Sequence, residues 1–128
     1  MVIALTKLLI AFDLISQAEH DSAAASVLVT NSQKLVNDVA LHLEELAPRA
    51  KHADRVVAAL SADQSALVLV DDIDFAISFA NAYATEHLEV MTEDDSSVVE
   101  QITNAGAIFV GAYSPVSLGD YMAGSNHV

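Results

Sequence analysis

Apolar residues recur along this chain in two rhythms. One is a three-to-four-residue spacing, the other a short unbroken run rich in β-branched side chains. Leu5, Leu8, Leu9, Phe12 and Ile15 fall at the first spacing and predict an amphipathic helix over residues 5–19. Its apolar face is broad, so it needs a partner surface. Ser26 to Thr30 reads as a buried strand. Asn31 or Ser32 can then cap a helix whose core face is Leu35, Val39, Leu43 and Leu46, with Pro48 ending it. Val56, Val57 and Leu60 mark a shorter helix, and residues 66–70 the next strand. Asp71, Asp72 and Asp74 gather at a following helix start, where carboxylates satisfy unpaired amides, and Ile73, Ile77, Ala80 and Tyr83 make its apolar stripe. Residues 88–91 form a third strand candidate. A capping box from Ser97 to Glu100 opens a helix carrying Val98, Val99 and Ile102, and Gly106 can close it with a positive φ. Residues 107–110 are the last clear strand.

Alternation of helices and strands is the pattern of a parallel sheet covered on both faces. The expectation is a single three-layer α/β domain over residues 1–128, with about four mainly parallel strands. Their centres are residues 27–29, 67–70, 88–90 and 108–110. No internal repeat or low-complexity tract interrupts the order.

Composition narrows the partners. At 128 residues and 53% hydrophobic content the chain can bury a core, and it has no cysteine for a disulfide framework or a thiolate metal site. Eighteen acidic residues against five basic ones give a net charge of −13, which repels nucleic acid and anionic membranes. The apolar N-terminus lacks a basic leader region and a prompt cleavage site, and it is too short to span a bilayer. A cytoplasmic location is expected.

Three stretches could carry chemistry. Glu86-His87 stands where a helical pattern gives way to a strand, and an imidazole beside a carboxylate suits proton transfer near neutrality. A solvated helix end explains the same pair more plainly. Gln17 and His20 are three apart and share a helix face, and both are acceptable donors to a borderline metal. The competing reading is a C-terminal histidine favoured by the helix dipole. After the last strand comes a turn-rich segment with Asp120 and His127 as potential metal or substrate contacts, and ligands in open parallel sheets bind beyond the carboxyl ends of strands. The Asp71–Asp74 cluster lacks calcium-loop spacing, and no glycine-rich phosphate fingerprint occurs.

Taken together, Gln17-Ala-Glu-His20, Thr85-Glu-His-Leu-Glu89, Asn104-Ala-Gly-Ala-Ile-Phe-Val-Gly111 and Gly119-Asp-Tyr-Met-Ala-Gly-Ser-Asn-His-Val128 resemble the signature of histidinol dehydrogenase. The resemblance runs from about residue 13 to residue 128, while residues 1–12 match poorly. It implies a zinc- and NAD-dependent oxidation of L-histidinol to L-histidine through the aldehyde, and a partial Rossmann-like domain. It also implies zinc ligation by Gln17, His20 and Asp120, a general base at His87 and an acid/base at Glu86. Substrate contacts would come from Gln17, His20, His87, Asp120 and His127.

Members of that family are far longer. The resemblance therefore implies a truncated homologue or excised fragment without the NAD-binding domain, the dimer-forming C-terminus or the partner subunit's zinc histidine. On that reading the isolated chain is inactive, binds zinc weakly or not at all, and self-associates as a homo-oligomer. The alternatives are a non-catalytic remnant and a self-associating acidic α/β interaction module.

Overall fold

The computed structural model describes residues 7–111. Helix α1 spans Lys7–Ala18, followed by strand β1, Val27–Thr30, and helix α2, Gln33–Leu46. A 3-10 turn over Ala47–Arg49 leads to α3, Ala53–Ser61, and β2, Ala66–Leu69. Helix α4 covers Ile73–Tyr83, β3 His87–Val90, α5 Asp95–Glu100 and β4 Ala107–Val110. All four expected strands are present within a residue or two of their expected centres.

Local chemistry explains most boundaries. Ser32, not Asn31, caps α2, its Oγ accepting from the Leu35 amide at 3.1 Å. Pro48 cannot donate to a preceding turn, so the α-helical ladder stops at Leu46 and tightens into the 3-10 turn. Asp72 caps α4 through a 2.8 Å bond from the Phe75 amide. Two expectations at the next helix are corrected. The cap of α5 is Asp94, which accepts from the Ser97 amide at 3.2 Å, so the helix starts before the expected box. Gln101 ends it, and Gly106 has no positive φ; among the described residues the left-handed ones are Ala84, which closes α4, and Gly111.

The strands are all parallel, but they form two pairs and not one sheet. β1 pairs with β2 from Val27 opposite Ala66 to Thr30 opposite Leu69. β3 pairs with β4 from His87 opposite Ala107 to Val90 opposite Val110. No strand among the described residues joins β1 to β3. The result is a parallel α/β unit, consistent with part of a Rossmann-like domain.

Three apolar clusters hold it. Ile10 and Leu14 of α1 meet Leu28 of β1 and Leu35 and Val39 of α2. Ile15 and Ala18 meet Val56 and Ala59 of α3. Ile77 of α4 packs with Val90 of β3 and Val98 of α5. Helix α1 thus buries Ile10, Ala11, Leu14, Ile15 and Ala18, while Leu8, Leu9 and Phe12 of the expected core stripe are 44%, 42% and 48% exposed. The helix is apolar around most of its circumference, so spacing alone could not choose the inward face. Of the expected α4 stripe Ile77 is buried, while Ile73 and Tyr83 are exposed, and Ala76 faces inward beside Ile77.

Candidate functional site

A cavity of about 200 Å3 lies between the two strand pairs. Ile10, Asp13, Leu14 and Gln17, one stripe of α1, wall it on one side, and Ala76, Phe79 and Tyr83 of α4 on the other. Consecutive residues of β1 and β3 close its two edges. Glu86 and His87 both line it, as does Gln17.

The backbone around Glu86-His87 is tied down by the segment before β4. The Gly106 amide donates to Thr85 O at 3.0 Å and the Ala107 amide to Glu86 O at 2.8 Å. A Cβ on Gly106 would stand 2.6 Å from Glu86 O, so only glycine lets the two segments approach this closely. Thr85 Oγ1 donates to His87 O at 3.1 Å. The His87 ring meets the Phe109 ring edge to face, centroids 6.0 Å apart. His87 is the first residue of β3, so the pair sits at the strand's amino end, not beyond the carboxyl end.

Period-two alternation places His87 and Glu89 on one face of β3. Glu89 lines the same cavity and neighbours Asp13, one helical turn before Gln17. Burial, reinforced by the Asp13 charge and a hydrogen bond with Asp13, pushes the Glu89 carboxyl up to about 9. Burial raises Asp13 as well, against the opposing effect of its bond with Glu89. Glu89 is therefore neutral at pH 7, and the pair shares its proton. This acid pair was not singled out from sequence. Two signals could have found it: Asp13 and Gln17 at i and i+4 on one helix face, and His87 and Glu89 two apart on a strand.

Gln17 Oε1 is buried and accepts no hydrogen bond among the described residues. An orphaned amide oxygen is costly in a protein interior, and it suits a metal or a ligand donor. His20 lies just past α1, its amide bonded to Gln17 O at 3.3 Å, and its side chain is exposed and outside the cavity lining. Arg55 Nη1 donates to Glu19 O at 2.9 Å and closes the same helix end. Asp120 and His127 lie outside the described residues, among which no cluster of three or more His, Cys, Asp or Glu residues forms a metal site.

The fold and the cavity define a parallel α/β unit that places an acid, an imidazole and a buried amide oxygen against one pocket. Comparison with known proteins makes the assignment specific. The family model for histidinol dehydrogenase matches residues 4–128, which brings in most of the N-terminal stretch expected to match poorly. Histidinol dehydrogenase from Leifsonia xyli subsp. xyli is 62% identical over 119 residues, 93% of this chain and 27% of the relative. That from Thermobifida fusca is 60% identical over 119 residues, again 93% and 27%. The crystal structure of histidinol dehydrogenase from Elizabethkingia anophelis superposes with a TM-score of 0.88 at 33% identity, over 95% of this chain and 28% of that one. The chain belongs to the histidinol dehydrogenase family and spans about 27% of the length of the curated relatives it matches.

Proposed function

We propose that this chain carries the proton-transfer and metal-binding segment of a zinc- and NAD-dependent histidinol dehydrogenase, acting on L-histidinol in histidine biosynthesis in the cytoplasm. Residues 1–128 form one α/β unit in this reading, and the NAD-binding and dimer-forming parts correspond to regions of the relatives beyond the match. The observation that carries it is the convergence of Glu86, His87 and Gln17 on one cavity. His87 would take the hydroxyl proton of the substrate, and NAD, when bound, would supply the hydride acceptor. Glu86, exposed at the cavity rim, activates water for the second oxidation, which turns the aldehyde into the acid. Gln17, through its orphaned Oε1, His20 and Asp120 would hold zinc, and His127 would contact substrate. When bound, the metal supplies a positive charge that anchors the amine and imidazole of histidinol.

Among the described residues no element is assigned to hold NAD, and hydride transfer requires tight positioning of both reactants. The isolated chain is therefore expected to take up zinc weakly and to form no NADH from histidinol. A homo-oligomer is part of the same reading, because Leu8, Leu9 and Phe12 leave an apolar face on α1. The test follows NADH absorbance with histidinol, NAD and zinc, for the wild type and His87→Ala. Turnover that depends on His87 would refute inactivity of the lone chain while upholding the assignment. If the 119 matched residues of the Leifsonia xyli enzyme are replaced by this chain's, the graft should turn over, and His87→Ala should abolish that turnover. An active graft indifferent to His87 would overturn the role of the site.

A further inference from the structure

Asn81 lies near the end of α4, a little before Glu86, and is not among the residues that line the cavity. Its side chain reaches instead to the connection between α5 and β4. Oδ1 accepts from the Thr103 amide at 2.7 Å and the Asn104 amide at 3.4 Å, and Nδ2 donates to Gln101 O at 2.9 Å. Asn104 Nδ2 answers with a 3.1 Å bond to Asn81 O. Gln101 O and Asn81 O are carbonyls of the kind that a helix end leaves without an intrahelical donor, so each bond also satisfies a terminus. Just beyond Asn104 the same connection holds the site, through the 3.0 Å bond from the Gly106 amide to Thr85 O and the 2.8 Å bond from the Ala107 amide to Glu86 O. Only Ala82, Tyr83 and Ala84 separate Asn81 from Thr85, and only Ala105 separates Asn104 from Gly106. The two sets of bonds therefore close a short ring with little slack. Inside it Ala84 is held at φ 53° and ψ 54°, a left-handed conformation that an alanine keeps only where its surroundings impose it.

We infer that Asn81 is a positioning residue for the reaction: by fastening α4 to the connection before β4, it sets where Glu86 and His87 stand at the cavity. It touches neither substrate nor the reacting atoms. Its effect passes through Thr103 and Asn104 to Gly106 and Ala107, and from their amides to the backbone of Thr85 and Glu86. Without the Asn81 bonds, the connection is free to drift from α4. Ala84 can then relax toward ordinary backbone angles, which swings Glu86-His87 relative to the cavity wall. The inference rests on the reading of Glu86-His87 as the proton-transfer pair, and it adds the residue that fixes their geometry.

Amide hydrogen exchange on the whole 128-residue chain reads the hold directly. Asn81→Ala should speed exchange at Gly106 and Ala107 by about tenfold or more, while the amides of β1 and β2 keep their wild-type rates. In the grafted Leifsonia xyli enzyme the same variant should lower kcat by about tenfold or more with KM within about threefold, because geometry and not affinity is lost. Asn81→Asp keeps the acceptor for the Thr103 amide and should bring kcat back to within about threefold of wild type. A residue serving stability alone would change Tm and the amount of folded enzyme, not kcat per folded site. Asn104→Ala deletes only the reciprocal bond to Asn81 O and should give the same pattern in smaller measure. It decides the question if Asn81→Ala does not fold, and wild-type exchange and kcat in Asn104→Ala would then count against the role. Unchanged exchange at Gly106 and Ala107 in a folded Asn81→Ala protein would overturn the inference. So would faster exchange with kcat unchanged, or a loss confined to KM. A graft that needs His87 but is indifferent to Asn81 would defeat this inference alone. A graft indifferent to His87 would defeat the proton-transfer reading and this role with it.

Discussion

Gly106→Ala is the sharpest single perturbation of the site's scaffold. Gly106 does not sit in the left-handed region, so its backbone geometry is open to alanine. The obstacle is proximity alone. The new methyl would lie 2.6 Å from Glu86 O and 3.3 Å from both Glu86 C and Glu86 Cα. Comfortable carbon contacts begin near ~3.5 Å, and all three obstructing atoms are backbone, so no side chain can rotate away. The strand start must move instead, and it carries the 3.0 Å bond from Gly106 and the 2.8 Å bond from Ala107. Overpacking costs about 1–3 kcal/mol and a weakened hydrogen bond about 1 kcal/mol. Loss of glycine's freedom in the unfolded chain returns about 0.4–1 kcal/mol. The net expectation is a loss of about 2 kcal/mol, read as a fall in Tm of roughly 6–10 °C for a domain of this size.

The assay is thermal unfolding by circular dichroism, with Gly111→Ala as the comparison. Gly111 has φ +85°, and among the described residues the nearest atom to an added Cβ is Asp95 Oδ2 at 3.8 Å. There the cost is backbone strain, about 1 kcal/mol, and asparagine should relieve part of it. At position 106 asparagine should be at least as harmful as alanine, since it has the same Cβ. A Gly106→Ala protein as stable as the wild type would refute the close-approach argument, and with it the claim that this segment fixes Glu86.

Glu89 gives a pH prediction. Its carboxyl is near 9 when folded against an ordinary 4.5, so the native state holds a proton that the unfolded chain releases. Its contribution to stability is complete below pH 4.5 and is lost as pH rises toward 9; Asp13 shifts in the same direction. Urea unfolding should show declining stability across that range, and Glu89→Gln should flatten the decline; an unchanged slope would show that the pair is not buried as described. Asp72→Ala should remove the cap of α4 and cost about 1 kcal/mol, whereas Asp71→Ala, which caps nothing, should be near neutral in the same titration. His87→Ala should remove any turnover the grafted enzyme shows, measured as NADH absorbance.

Much of the fold was legible because it rests on local chemistry. Short β-branched runs and capping residues located all four strands and the helices between them, since these signals act within a few residues of where they are written. Face selection was less legible. On α1 both the Leu8-Phe12 face and the Ile10-Leu14 face are apolar, and the choice between them was made by Leu28 and Val39, residues with no sequence proximity to the helix. The split of the strands into two pairs has the same origin. β-branched runs report that a strand wants two neighbours, not which neighbours the chain supplies.

The site divides along the same line. Glu86-His87 and Gln17-His20 were visible as adjacent or same-face pairs, whereas the meeting of α1 with β3 is long-range and silent in either stretch. That meeting brings Gln17 to the cavity and leaves His20 exposed, although three residues on an ideal helix would have carried both to one face. The reason is that α1 ends at Ala18, so His20 has already left the helical path. The same meeting sets Asp13 against Glu89. From sequence, each is one more carboxylate in a chain of eighteen acidic residues, and charge counting assigns both to the solvated surface. Only the closure of α1 over β3 makes them a buried, proton-sharing pair. An acidic composition therefore concealed the two carboxyls whose environment departs furthest from a surface, and helix packing decided which two they were.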